Sequence, residues 1–126
     1  MQTIRTLALI GTGGFIGTVC RYLLSKFVQG RFLSLFPFGT LTVNVIGCFC
    51  LGLIISFSEK ANIHFERQLF LTTGICGGFT TFSAFSSEAL GLMRDGHLWQ
   101  AGAYILASVV LGILATLAGY SVLRIF

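Results

Sequence analysis

Charge is scarce in this sequence. Aspartate, glutamate, lysine and arginine make up 10% of its 126 residues, where a soluble globular domain carries about 25%, and an ordinary soluble fold is thereby excluded. Proline is almost missing: Pro37 stands alone beside 13 phenylalanines, the reverse of the composition that leaves a chain disordered. The four cysteines, Cys20, Cys48, Cys50 and Cys76, lie inside apolar stretches without a CxxC pair. That argues against a disulfide framework or a zinc site and reads them as small buried apolar residues. The eight Lys and Arg are dispersed singly, so they form no basic stripe for a phosphate backbone, and nucleic acid is not an expected partner. No GxxxxGKS/T occurs, and TGGFIG fails the dinucleotide pattern because Ile16 stands where its third glycine belongs.

What is present is apolar length. The chain is 55% hydrophobic with a mean hydropathy of +0.90, the composition of an integral membrane protein. A span needs about 20 apolar residues. Four spans fit, at about residues 6–27, 38–57, 68–93 and 98–123, in a single transmembrane domain 1–126 with no room for a soluble catalytic domain. The first block is too long and glycine-rich for a cleaved signal peptide, and Pro37 is well placed to open the second helix. The expected fold class is an all-α membrane protein.

Loop charges bear on orientation. Arg5, Lys60, Arg67 and Arg124 fall on the face of the N-terminus, and Arg21, Lys26, Arg31 and Arg94 on the other. Four against four gives the positive-inside rule nothing to act on, so insertion in both orientations is expected.

Polar residues at membrane depth are costly and mark a partner, cavity or pathway. Asn44 sits mid-span with Thr40 one turn before it on the same face; it is either a pathway group or glue between helices. Tyr104, Ser108, Gly112 and Thr116 follow at four-residue steps and read as a wet track or a close helix contact. The third span carries Gly74, Gly77 and Gly78 and then Thr80, Thr81, Ser83, Ser86, Ser87 and Glu88. Glycines followed by β-branched and hydroxyl residues weaken a helix, so a helix broken near its middle is expected, with freed carbonyl oxygens suited to a hard cation. The other reading is an unbroken helix whose glycines allow close packing, as Gly13 and Gly17 do in a small-xxx-small face. Phe82 and Phe85, just beyond, are lipid-facing or core residues, or rings whose positive edges receive an anion. Glu88 is a functional candidate, with Arg21 or an interfacial cation as partner.

GGFTTFSAFSSE (Gly77 to Glu88), FGTLTVNVIG (Phe38 to Gly47) and TVCRYLL around Arg21 together resemble the small fluoride channel family of bacteria, the Fluc or CrcB proteins, over essentially the whole chain. The resemblance implies a passive, fluoride-selective channel that exports cytoplasmic fluoride across the bacterial inner membrane and so protects against its toxicity. It also implies an antiparallel, dual-topology homodimer with two pores and a central sodium ion. On it, Phe82 and Phe85 match the aromatics whose edges face fluoride, Asn44 the pore amide, and Tyr104 and Ser108 the polar track. Thr40, Thr81, Ser83 and Thr116 complete the expected pore, Arg21 and Glu88 supply vestibule charge, and the backbone carbonyls of Gly77 and Thr80 match the sodium ligands. Ala84 and Gly112 depart from the family, where Thr and a track hydroxyl are common. A small multidrug-resistance type exporter has the same size, but it needs a membrane-buried carboxylate in its first span, and this chain has none there. A non-transporting assembly subunit is the other alternative.

Overall fold

The computed structural model describes residues 2–125. Helix α1 is Gln2–Arg31 and α2 is Phe38–Ala61. The third span has two halves. The first, α3 (residues 65–79), is α-helical at Phe65–Leu69, wider π-type at Phe70–Cys76 and α-helical again at Gly77–Phe79; the second, α4, is Phe82–Arg94. Helix α5, Leu98–Ile125, closes the chain. Among the described residues four helical stretches, the third being Phe65–Arg94 taken together, are long and apolar enough to cross a membrane, and the spans read from the sequence lie inside them. Large apolar side chains such as Phe15, Leu106 and Ile113 point outward, which suits a solvent of lipid.

The turns are set by local chemistry. Pro37 caps α2 but supplies no side-chain acceptor. Gln29, near the end of α1, takes over: its Oε1 accepts from the Gly39 N–H at 2.9 Å, and its Nε2 donates to the Ser34 and Phe36 carbonyls. This satisfies one of the amides orphaned at a helix start. Helix α2 ends on Asn62 in the left-handed region at φ 50°, a conformation asparagine tolerates better than most residues. Gly96, at φ +82°, turns α4 into α5.

Two backbone-close contacts build the bundle. Helices α2 and α5 form the most extensive pair, and a Cβ on Gly52 or Gly119 would run into the backbone of the facing helix. Helix α1 lies on α3 in the same manner: a Cβ on Gly17 would meet the Ile75 carbonyl, and one on Gly78 the Gly14 carbonyl. Helix α4 is held less broadly, against α5 and thinly against α2. The small core there comprises Ala89, Leu92, Ala101 and Tyr104, with Phe36, Leu41, Phe85 and Ile105 packed on it.

At the N-terminal end of α1, Arg5 pairs with Glu66 and Arg124 with Glu59. Tyr120 also donates to Glu59, and Lys60 to the Leu123 carbonyl.

Candidate functional site

The third span breaks at Thr80–Thr81, both in extended conformation, with φ/ψ of −87°/155° and −148°/118°. The glycines are not the break. Gly77 keeps helical angles, and Gly74 and Gly78 serve contact with α1, so the packing reading holds for the glycines and the broken-helix reading for the β-branched pair after them. Extended backbone suits β-branched threonine.

Extended backbone at membrane depth survives only if its polar groups are satisfied by protein or water. Asn44 does this for Thr81. Its Oδ1 accepts the Thr81 N–H at 2.8 Å while its Nδ2 donates to the Thr81 carbonyl at 3.1 Å, the pairing a neighbouring strand would offer. One Nδ2 hydrogen is left over. The Thr81 hydroxyl caps α4 by accepting from the Ala84 N–H at 3.2 Å and stands 3.3 Å from Ser83 Oγ. Thr18, on α1, places its hydroxyl 3.5 Å from the Gly78 carbonyl.

The same rearrangement frees acceptors. A continuous helix would give the Thr81 N–H to the Gly77 carbonyl and the Ala84 N–H to the Thr80 carbonyl; the first goes to Asn44 and the second to the Thr81 hydroxyl. Gly77 and Thr80 therefore keep carbonyl oxygens without their helical donors. Those oxygens fit a hard monovalent cation such as sodium, which takes oxygen ligands.

Two open clefts meet at the break, and Thr81 lines both. The first, of about 530 Å³, carries Arg21 and Lys26 on the α1 wall and Thr40, Ala84 and Glu88 opposite. The second, of about 340 Å³, holds Asn44, Thr80, Phe82, Phe85 and Ser108 and is lined by no charged side chain. Gly77, Thr72, Cys48, Cys76 and Gly112 also line it. The Ser108 hydroxyl is buried without a protein partner.

An aromatic series connects the clefts to the core. Phe82, 79% exposed, stands 5.5 Å from Phe85, and Phe85 is 5.1 Å from Tyr104 between ring centroids, both pairs tilted. Tyr104, fully buried, also receives Phe36 edge-on at 5.5 Å. Its hydroxyl donates to Glu88 Oε2 at 3.3 Å, and the buried Thr40 hydroxyl donates to Glu88 Oε1 at 2.6 Å. Glu88 is thus held by two hydroxyls. Arg21, its expected partner, shares the cleft without forming an ion pair with it.

The structure gathers Asn44, Thr81, Phe82, Phe85, Ser108, Gly77 and Thr80 on one cleft and Arg21, Thr40 and Glu88 on the other, with Tyr104 between them and Ser83 exposed beside Thr81. Thr116 lines neither. Its hydroxyl donates one turn back to the Gly112 carbonyl at 3.0 Å, and its own carbonyl abuts Gly52 in the α2–α5 contact. Reasoning from sequence did not single out Thr18, Lys26 or Thr72 as site residues, and a lone hydroxyl or cation gives no periodic signal to find them by. Cys48 and Cys76 reach the cleft wall as apolar groups do.

Residues 8–120 match the family described as "CrcB-like protein, Camphor Resistance (CrcB)". Among similar proteins, one from Phocaeicola vulgatus is 42% identical over 92% of this chain and 96% of its own length. Others from Agrobacterium fabrum and Rhizobium meliloti are each 44% identical over 94% of this chain and 95% of their own. All three are named fluoride-specific ion channel FluC.

Proposed function

The chain belongs to the CrcB-like family, and from that membership and the geometry at the helix break we propose that it is a passive, fluoride-selective membrane channel rather than an enzyme. The observation that carries this reading is the meeting of a cation-bearing mouth with an uncharged, donor-lined cleft at a single residue, Thr81.

Fluoride is compact and strongly hydrated, so a selective path must replace its water with short-range donors and then release it. Arg21 and Lys26 raise the anion's concentration at the mouth. Beyond Thr81 there is no cation to trap it. The spare Nδ2 hydrogen of Asn44, the unpartnered Ser108 hydroxyl, and the Thr81 and Ser83 hydroxyls offer donors. Phe82 and Phe85 offer ring edges, which carry partial positive charge. Glu88, on the wall of the first cleft, is held by the two hydroxyls it engages, Thr40 and Tyr104. Such a channel moves fluoride down its electrochemical gradient, and hydrogen fluoride that enters a cell and dissociates supplies that gradient outward. Fluoride export at the bacterial inner membrane follows.

Antiparallel pairing of two copies, inserted in opposite orientations, is supported by the equal division of Lys and Arg between the two membrane faces and by an exposed face that includes Phe82. In that pair the Gly77 and Thr80 carbonyl oxygens of the two breaks would hold a sodium ion. Bound there, the ion would supply a fixed positive charge and a tie between the two copies.

The test is efflux from liposomes carrying the purified protein, followed with a fluoride electrode and, in parallel, a chloride electrode. Fast fluoride release with chloride retained is expected; no fluoride release, or equal release of both, rejects the reading. Labelling of a single C-terminal cysteine in a background without the native four, from each side of the cell membrane, checks the pairing: comparable labelling on both sides is expected, and one-sided labelling removes dual topology.

A further inference from the structure

A cleft of about 1010 Å³, larger than either at the break, lies away from it, where the start of α1, the end of α2 and the start of α3 converge. Its upper wall carries Arg5 and Arg67, and its lower wall Leu9, Phe57, Phe70 and Leu71. Arg5 reaches Glu66 only through Nε, at 3.4 Å, and its side chain stays 74% exposed, so most of its guanidinium remains accessible. Arg67 is exposed and has no ion-pair partner among the described residues. Glu66 is the one acid on the wall, leaving the cleft net positive.

Depth fixes what such a cleft can meet. At 1.5 Å per residue the 30 residues of α1 span about 45 Å, some 15 Å more than a hydrocarbon core of about 30 Å. The end bearing Arg5 therefore stands at headgroup level, while Leu9, one turn further, faces the top of the acyl region. Cations above an apolar wall at that depth complement a molecule with a phosphodiester and an acyl chain.

We propose that this cleft binds an anionic phospholipid, its phosphate on Arg67 and the free part of Arg5, its acyl chain along Leu9, Phe57 and Phe70. Arginine suits the task because its planar fork meets phosphate oxygens in pairs. The site is separate from both clefts at the break and so does not depend on the channel reading.

Native mass spectrometry of the detergent-purified protein in its own oligomeric state, titrated with phosphatidylglycerol or phosphatidylcholine of identical acyl chains, tests it. Phosphatidylglycerol adducts should survive activation that strips phosphatidylcholine. Arg67→Gln should weaken phosphatidylglycerol binding about fivefold, the effect of one cation near an anionic headgroup. Arg67→Lys should keep most of the binding, and Arg94→Gln, at the end of α4 on the opposite membrane face, should keep all of it. Millimolar inorganic phosphate should fail to compete, because it lacks the chain that the apolar wall holds. Equal retention of the two lipids by the parent protein overturns the proposal. So does displacement by phosphate alone, or an Arg67→Gln protein that binds phosphatidylglycerol as the parent does.

Discussion

Helix α3 presses Gly74 and Gly78 against the backbone of α1, whereas α4, beginning after a two-residue break, turns Phe82 and Ser83 outward and leans on the rest of the bundle through a small patch around Ala89, Leu92 and Tyr104. Both halves are made of glycine, small hydroxyl residues and phenylalanine. In α3 the smallness closes distance between helices; in α4 the same residue types line open space. The changeover comes at Thr80–Thr81, where hydrogen bonds pass from the helix ladder to Asn44. A short polar sequence can therefore be structural on one side of a break and available to an ion on the other, and what decides is whether backbone or cavity faces it.

The largest effect should come from blocking the tight half. Gly17→Leu drives a side chain into the Ile75 carbonyl and the Phe79 amide. Overpacking costs about 1–3 kcal/mol or more, and here the obstacle is backbone that cannot rotate away. The folded, monodisperse fraction in size-exclusion chromatography should collapse. Gly11→Ala on the same helix, with nothing within 4 Å of its added Cβ, should leave that fraction unchanged.

Next in size is Asn44→Asp, aimed at the hinge of the comparison. The amide donors are lost and an ionised carboxylate would repel the anion. Fluoride efflux should fall at least a hundredfold in protein that still purifies as folded material, and a folded variant with normal efflux would reduce Asn44 to packing. A smaller loss is expected for Thr40→Val. It removes the shorter of the two hydrogen bonds on Glu88, leaves a carboxylate oxygen unsatisfied at a cost of about 1–3 kcal/mol, and should reduce efflux severalfold.

Thr116→Val should do least. That hydroxyl serves its own helix, so efflux should stay within about twofold of the parent and stability within about 0.5 kcal/mol, as for a change removed from any special feature. A tenfold fall would restore Thr116 to the pathway.

Thr116 also shows where reading the sequence stops. Spacing of four residues looks like one face, yet at 3.6 residues per turn each step advances the position by about 40°, and the three steps from Tyr104 to Thr116 carry it about 120° around the helix. The four spans were legible because hydropathy is a property of composition. The break was legible to within a few residues, since Gly77, Gly78, Thr80 and Thr81 all weaken a helix; which of them yields depends on α1 claiming the glycines. Asn44 stood out as an expensive amide, but its partner lies 37 residues away, and no local pattern encodes that. Gln29 reads as an ordinary helix-end glutamine until the turn it braces is seen. Charge alone pointed to Arg21 as the partner of Glu88; the capture of Glu88 by Thr40 and Tyr104 depended on how α2, α4 and α5 meet.

Phe85→Ile tests the proposal that the outward half of the third span faces the ion with aromatic edges. Phenylalanine to isoleucine keeps the site apolar at a cost under about 1.5 kcal/mol, while removing the ring edge that receives an anion. Fluoride efflux and thermal unfolding should be measured on the same preparation. Efflux reduced at least tenfold with the unfolding transition nearly unmoved is the expected result; undiminished efflux from the folded variant would contradict it and make Phe85 a packing residue.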